Sequence, residues 1–261
     1  MRTIVYGNGK SRQKWNVNEK LDNVVTWGCN RIFNDVKVDN LVAVDYHVQH
    51  LIYDSGYAHD NKCWFADWNI LPANVPYMDI TFGKDKPNVP IIENKNKNDK
   101  LKVVVNGKLT KPNQGLYVTW VDEVDMVEKI EYPREWSSGT TAIHLACQQG
   151  ATEVYLLGFD CSDDPKDNMY EREQSEYHSE TNNFSIRLDW ARELKTVFNE
   201  FKDVKFIWAD GDIANRMIDT LNAGDLNAVI NKSSIGDPRL KFDNDNLTYD
   251  TYENIRRTIC R

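Results

Sequence analysis

The chain has 261 residues, 41% hydrophobic and 28% charged, and Asp plus Glu outnumber Lys plus Arg by 40 to 32, a formal net charge of −8. This composition belongs to a globular protein and excludes a disordered chain, and the acidic balance argues against a dedicated duplex-binding protein with a basic face. No apolar run approaches the ~20 residues that span a bilayer. The opening MRTIVYGNGK holds no long apolar stretch, so no secretory leader and a cytoplasmic location are expected. Cys29, Cys63, Cys147, Cys161 and Cys260 show no CxxC spacing, which predicts reduced thiols and no zinc site.

In chain order, short runs rich in β-branched or aromatic residues predict strands at Thr3–Tyr6, Asn23–Trp27, Asn40–Val44, Lys62–Ala66, Glu153–Leu157 and Lys205–Ala209. Their apolarity is continuous rather than alternating, as in strands buried on both faces. Residues 84–113 are rich in Lys, Asn and Pro and predict an exposed insertion before a strand near Leu116–Trp120. Gly139–Gly150 (GTTAIHLACQQG) places Ala142, Ile143, Ala146 and Cys147 on one helical face, with Gly150 as the cap and His144 as packing. Residues 161–181 are polar and predict a lid. Asn183–Phe201 carries a broad apolar stripe through Ala191, Leu194, Val197, Phe198 and Phe201. The alternation predicts an α/β, Rossmann-like fold, a mainly parallel sheet flanked by helices. One domain is expected over residues 1–221, with residues 222–261 as an extension packed on its outside.

Candidate chemistry gathers at strand ends. Gly7-Asn8-Gly9 follows the first strand, where a glycine turn lets a phosphate approach backbone N–H groups. It is neither G-x-G-x-x-G, because position 12 is Arg, nor a P-loop, because Ile4 stands where that motif needs Gly. Asn30 follows the second strand, where a carboxamide can hold a ribose or base; Asp45 follows the third. Ser137, Ser138, Thr140 and Thr141 open a helix and leave room for an anion beyond what capping uses. Asp160 ends the buried strand of Glu153–Asp164 at the sheet's carboxyl edge. His178 precedes the long helix, a place suited to a general base.

The ordered set resembles the bacterial sialyltransferases of glycosyltransferase family 42 and the related MptE-like pterin pyrophosphokinase family. The matching pieces are Gly7-Asn8-Gly9, Cys29-Asn30, Ser138-Gly139, Ala146 through Asp160, and His178-Ser179, within about residues 2–209. The resemblance implies a modified Rossmann fold with a lid over a nucleotide-sugar site. By it, His178 is the general base, Asn8 and Asn30 hold the nucleotide, Ser138 and Gly139 lie against the donor, and Tyr155 assists the departing phosphate. The second such tyrosine is absent; Cys161 and Ser162 stand in its place.

Three functions follow. The first is inverting transfer from a CMP-sugar or other nucleotide donor to a glycan or small-molecule acceptor, with no cofactor. The second is diphosphate transfer from ATP with Mg²⁺ held by Asp45 or Asp160, which Gly139-Thr140-Thr141-Ala142 fits. The third is a nucleotide- or glycan-binding protein without catalysis. None involves nucleic acid or a membrane span, and each is compatible with a homo-oligomer.

Overall fold

A computed structural model of the chain describes residues 1–66, 68–70, 78–83, 86–94, 119–121, 126–130, 134, 136–160, 168–170, 184–211 and 241–260. The chain divides into two compact units, Met1–Val42 with Arg134–Arg261, and Ala43–Pro133.

The first unit opens with β1 (Arg2–Tyr6) and β2 (Val24–Cys29), followed by 3-10 turns at Lys10–Lys14 and Asn30–Asn34, and reaches its boundary in β3 (Asn40–Ala43). The second unit holds α1 (Tyr46–Asp54), α2 (Tyr57–Asp60), β4 (Cys63–Phe65), β5 (Trp68–Ile70), β6 (Met78–Gly83), β7 (Lys86–Asn94), β8 (Thr119–Val121) and β9 (Val127–Lys129). There β4 pairs with β9 and β5 with β8, both parallel, and β6 with β7 forms an antiparallel hairpin. The part of the expected insertion that the structure describes is therefore a strand of this hairpin; residues 95–113 lie outside the described residues.

The first unit then resumes with α3 (Ser138–Gln148), β10 (Glu153–Leu157), α4 (Phe184–Glu200), β11 (Lys205–Ala209), β12 (Leu247–Asp250) and α5 (Tyr252–Ile259). Its strands lie in the order β12-β11-β10-β1-β2-β3, each neighbouring pair parallel. This is the expected α/β, Rossmann-like sheet. Its strands are apolar along their length because helices cover the sheet: Ile4, Val5, Leu41, Val42, Val154, Leu156 and Leu157 are all fully buried. From β1 the chain builds outward through β2 and β3 on one side and through β10, β11 and β12 on the other. The boundary between β1 and β10 is the topological switch point, outside whose carboxyl ends such sheets bind ligands.

α3 starts where the Ser137 side chain accepts the Thr140 N–H, and it stops at Gly150, whose φ of +89° suits glycine. Ala142, Ile143 and Ala146 are buried as the periodicity predicts. On α4, Phe198 packs its ring on Phe206 at 4.7 Å and Phe242 at 6.1 Å, and Trp208 stands 4.9 Å from Phe242. Both ring partners of Phe242, Phe198 and Trp208, come from α4 and β11.

Residues 222–240 lie outside the described residues, but 241–260 are built into the unit rather than laid over it. Phe206 pairs with Leu247 in the β11–β12 ladder, and α5 buries Tyr252, Ile255 and Ile259. The Asn246 side chain donates to the carbonyls of Phe198, Phe201 and Val204 at 3.0, 3.0 and 3.2 Å, closing the carboxyl end of α4. Among the described residues no helix is long and apolar enough to cross a membrane. Phe198, fully buried and central to the aromatic cluster, is expected to lose about 3–5 kcal/mol of stability on Phe198→Ala, read as a fall in the urea midpoint at constant m-value.

Candidate functional site

The β1–β10 ladder runs on past both strand ends. Gly7 N–H donates to Leu157 O at 2.7 Å and Gly9 N–H to Gly158 O at 2.8 Å. A Cβ on Gly7 would stand 2.4 Å from Gly158 O, and one on Gly9 would stand 2.5 Å from the Asp160 Cγ. These glycines let two turns close on each other. That is a different use from the one the sequence predicts, an opening for phosphate.

The carboxylate of Asp160 then takes the position expected of a ligand. It accepts the Ser11 N–H at 2.8 Å and the Ser11 hydroxyl. Ser11 Oγ also lies 2.8 Å from Tyr252 Oη, which accepts the Gly158 N–H at 2.9 Å. Burial pushes the Tyr252 phenol up to about 12, so it stays protonated at neutral pH.

The start of α3 repeats the pattern. Glu193, on α4 and only 8% exposed, accepts the Ser137 N–H at 3.1 Å and the Ser137 hydroxyl at 2.9 Å. The Thr141 hydroxyl turns back to Ser137 O at 2.9 Å. One member of the Ser/Thr cluster, Ser137, is thus held by a carboxyl group of the chain. Burial raises the Glu193 carboxyl above its ordinary value of 4.5, opposed by hydrogen bonds from Ser137 and Thr140.

Phe159, half-buried, packs against these contacts at the carboxyl edge. A Cβ on Gly7 would stand 3.2 Å from the Phe159 ring, and one on Gly139 would stand 3.1 Å from it and 3.9 Å from Cys29 Sγ. Asn30 follows Cys29 with a left-handed φ of 52° and is 8% exposed. Asn8 carries a buried Oδ1 with no hydrogen-bond partner among the described residues. The structure thus brings Gly7, Asn8, Asn30, Ser138 and Gly139 to one carboxyl edge. Cys29 is inert packing there: burial pushes its thiol up to about 12.

A strap crosses this edge. Asn168 bridges to Gly9, and Met169 N–H donates to Asn8 O at 2.8 Å. Beneath it Arg12, 1% exposed, donates from Nη2 to Asp35 at 2.9 Å and to Tyr170 Oη at 3.0 Å, while Tyr170 Oη donates to Asp35 at 2.7 Å. Residues 168–170 of the expected lid are therefore anchored to the glycine turn; its remaining residues lie outside the described ones. Sequence reading missed Arg12, Asp35 and Tyr170, because Arg12 entered it only as the residue that breaks a glycine motif.

Two further expectations change. Tyr155 sits mid-strand between Ile4 and Ile207 and is 2% exposed. Its phenol is held above the usual range by burial and by a hydrogen bond to Glu153, the first residue of β10. Its hydrogen bond is thus to a residue of its own strand rather than to the glycine turn. Asp45 precedes α1 in the second unit and Asp160 belongs to the first. His178 and Ser179 lie outside the described residues.

No family model and no curated protein matches the chain. Among solved structures, the crystal structure of the sialyltransferase CST-II in complex with trisaccharide acceptor and CMP is similar, at 13% identity and a TM-score of 0.41 over 80% of each chain. Likeness at that level does not speak to function.

Glu193 provides the test of this geometry. Its raised pKa means the native chain binds its proton more tightly than the unfolded chain. The resulting stability is present below the ordinary value of 4.5 and is lost as pH rises through the raised value. Glu193→Gln is expected to flatten that part of the stability profile in urea melts between about pH 4 and pH 7. Glu193→Ala strands the Ser137 donors and is expected to cost about 1–3 kcal/mol.

Proposed function

We propose that the chain is a nucleotide-sugar-dependent glycosyltransferase with sialyltransferase-like chemistry. It would take a CMP-sugar or related nucleotide donor and a glycan or small-molecule acceptor. The observation that carries this reading is the carboxyl edge of the sheet, where the buried Oδ1 of Asn8 lacks a partner among the described residues and Asn30 holds a left-handed backbone beside the start of α3. Carboxamides offer a paired donor and acceptor, which suits the edge of a base or a ribose. A half-buried aromatic ring, Phe159, offers apolar surface between them.

The chemistry assigned to the site is one displacement. The acceptor hydroxyl oxygen attacks the anomeric carbon while the bond from that carbon to the donor phosphate breaks on the opposite face. His178 takes the hydroxyl proton, the nucleoside monophosphate leaves with the bonding pair, and configuration inverts. His178 has this role by the family resemblance. No metal is assigned to the step.

A thermal-shift screen of CMP, CMP-sialic acid, other nucleotide sugars, ATP and GTP, each with and without Mg²⁺, is expected to raise Tm with the cytidine nucleotides independently of the metal. Stabilisation by ATP that EDTA abolishes would point to diphosphate transfer instead. With a donor in hand, His178→Ala is expected to keep donor binding and lose about 10²–10⁴-fold in transfer rate. Turnover equal to wild type would take His178 out of the mechanism. Asn30→Gly, which accepts the left-handed φ without strain, is expected to keep the fold and weaken nucleotide binding, read as a smaller ligand-induced rise in Tm than in wild type.

A further inference from the structure

The turns that carry Asn8 and Asn30 are joined by a buried ion pair. Arg12 lies in the 3-10 turn Lys10–Lys14, its N–H bonded to Gly9 O at 3.1 Å, and Asp35 closes the 3-10 turn Asn30–Asn34, its N–H bonded to Ile32 O at 2.9 Å. Arg12 Nη2 donates to the Asp35 carboxylate at 2.9 Å. Every other hydrogen bond that the guanidinium makes among the described residues goes to the strap: Nη2 to Tyr170 Oη at 3.0 Å and Nε to the Met169 thioether at 3.0 Å. The strap in turn grips the glycine turn by its backbone, through Met169 N–H to Asn8 O at 2.8 Å and the Asn168–Gly9 bridge. Three segments far apart in sequence thus meet on one guanidinium.

For stability alone this is a poor arrangement. Arg12 is 1% exposed, its one carboxylate partner is 37% exposed, and its Nη1 has no hydrogen-bond partner among the described residues. Burying a charge costs desolvation that a single, partly solvated carboxylate does not fully offset, and an apolar side chain of similar volume would fill the space at less cost. What a guanidinium supplies instead is direction, because its planar fork holds partners at fixed angles.

We infer that Arg12 and Asp35 are positioning residues. The pair braces the Asn8 turn against the Asn30 turn and, through Met169 and Tyr170, holds the strap on Asn8 O. The Asn8 carboxamide, with its buried and unpartnered Oδ1, is thereby set in place before a ligand arrives. The inference rests on the nucleotide reading above and deepens it. Neither residue touches the nucleotide; both act by sparing the ordering that binding would otherwise require.

Two measurements on the full chain, both well below Tm, test the brace. Amide exchange followed by NMR needs no ligand: Arg12→Met is expected to speed exchange of the Met169 N–H about tenfold or more, while Val154 and Ile207 in the core of the sheet keep their protection. In calorimetric titration with CMP, Arg12→Met is expected to weaken binding about tenfold, and Asp35→Asn to weaken it by less. In an Asn8→Ala background Arg12→Met is expected to weaken CMP binding no further, because no carboxamide is left to position. A residue that only stabilised the fold would lower Tm and leave CMP affinity at this temperature unchanged. Should Arg12→Met not fold, Asp35→Asn and Arg12→Lys, which keeps the charge and loses the fork, carry both measurements. Unchanged exchange at Met169, or effects of Arg12 and Asn8 on affinity that simply add, overturns the inference and leaves the nucleotide reading standing. A wild-type chain that binds neither CMP nor any other nucleotide removes the nucleotide reading and the inference with it.

Discussion

The carboxyl edge of the sheet depends on the closure of the turn at Gly7–Gly9 against the turn at Gly158–Asp160. A side chain at Gly7 or Gly9 would collide with the opposite turn at under 2.7 Å, so the absence of Cβ atoms is what lets the β1–β10 ladder continue beyond its strands. The rest of the edge follows from that approach. Ser11 can reach Asp160 only because Gly9 lies against the carboxylate. Gly158, at a φ of +76°, turns its N–H to Tyr252. Phe159 is left projecting between Gly7 and Gly139, and its carbonyl is held by the Trp208 indole N–H at 3.0 Å. The aromatic cluster at β11 and the carboxyl edge are thus joined through Trp208 and Phe159.

The strands of the sheet were legible in the sequence wherever burial on both faces made their apolarity continuous, as at Thr3–Tyr6 and Glu153–Leu157. β12 was not. It reads Leu-Thr-Tyr-Asp amid Asn and Asp, and a polar edge strand has neither the apolar run nor the clean alternation that marks a half-buried one. The positions of Asn30, Ser138 and Asp160 at strand ends and helix start could also be read in advance, because an α/β alternation dictates which ends face the ligand side.

The partners of those residues could not. Ser11 and Asp160 are 149 residues apart and Ser137 and Glu193 are 56 apart; no local pattern encodes either pairing. Glu193 did leave a trace, an acidic residue set on the apolar stripe of its helix between Ala191 and Leu194. A carboxyl group on a buried face needs donors, and the one supply of spare donors in the sequence was the hydroxyl cluster opening α3. Arg12 left no comparable sign, since a buried guanidinium is distinguished only by partners such as Asp35 and Tyr170 that the fold brings to it.

Tyr252 lies in α5, 241 residues after Ser11, yet its hydroxyl meets both Gly158 and Ser11. β1 likewise lies between β2, close in sequence, and β10, some 150 residues on, with Arg2 opposite Glu153. During synthesis the glycine turn therefore emerges well before the residues that complete it. Until α5 has left the ribosome the Gly158 N–H has no phenol to bind and the sheet lacks its final strand. Ser11 waits for a residue 241 positions further on before the edge it borders is finished. Loss of α5 would consequently act far from its own place in the sequence, on the turn formed by residues 7–11.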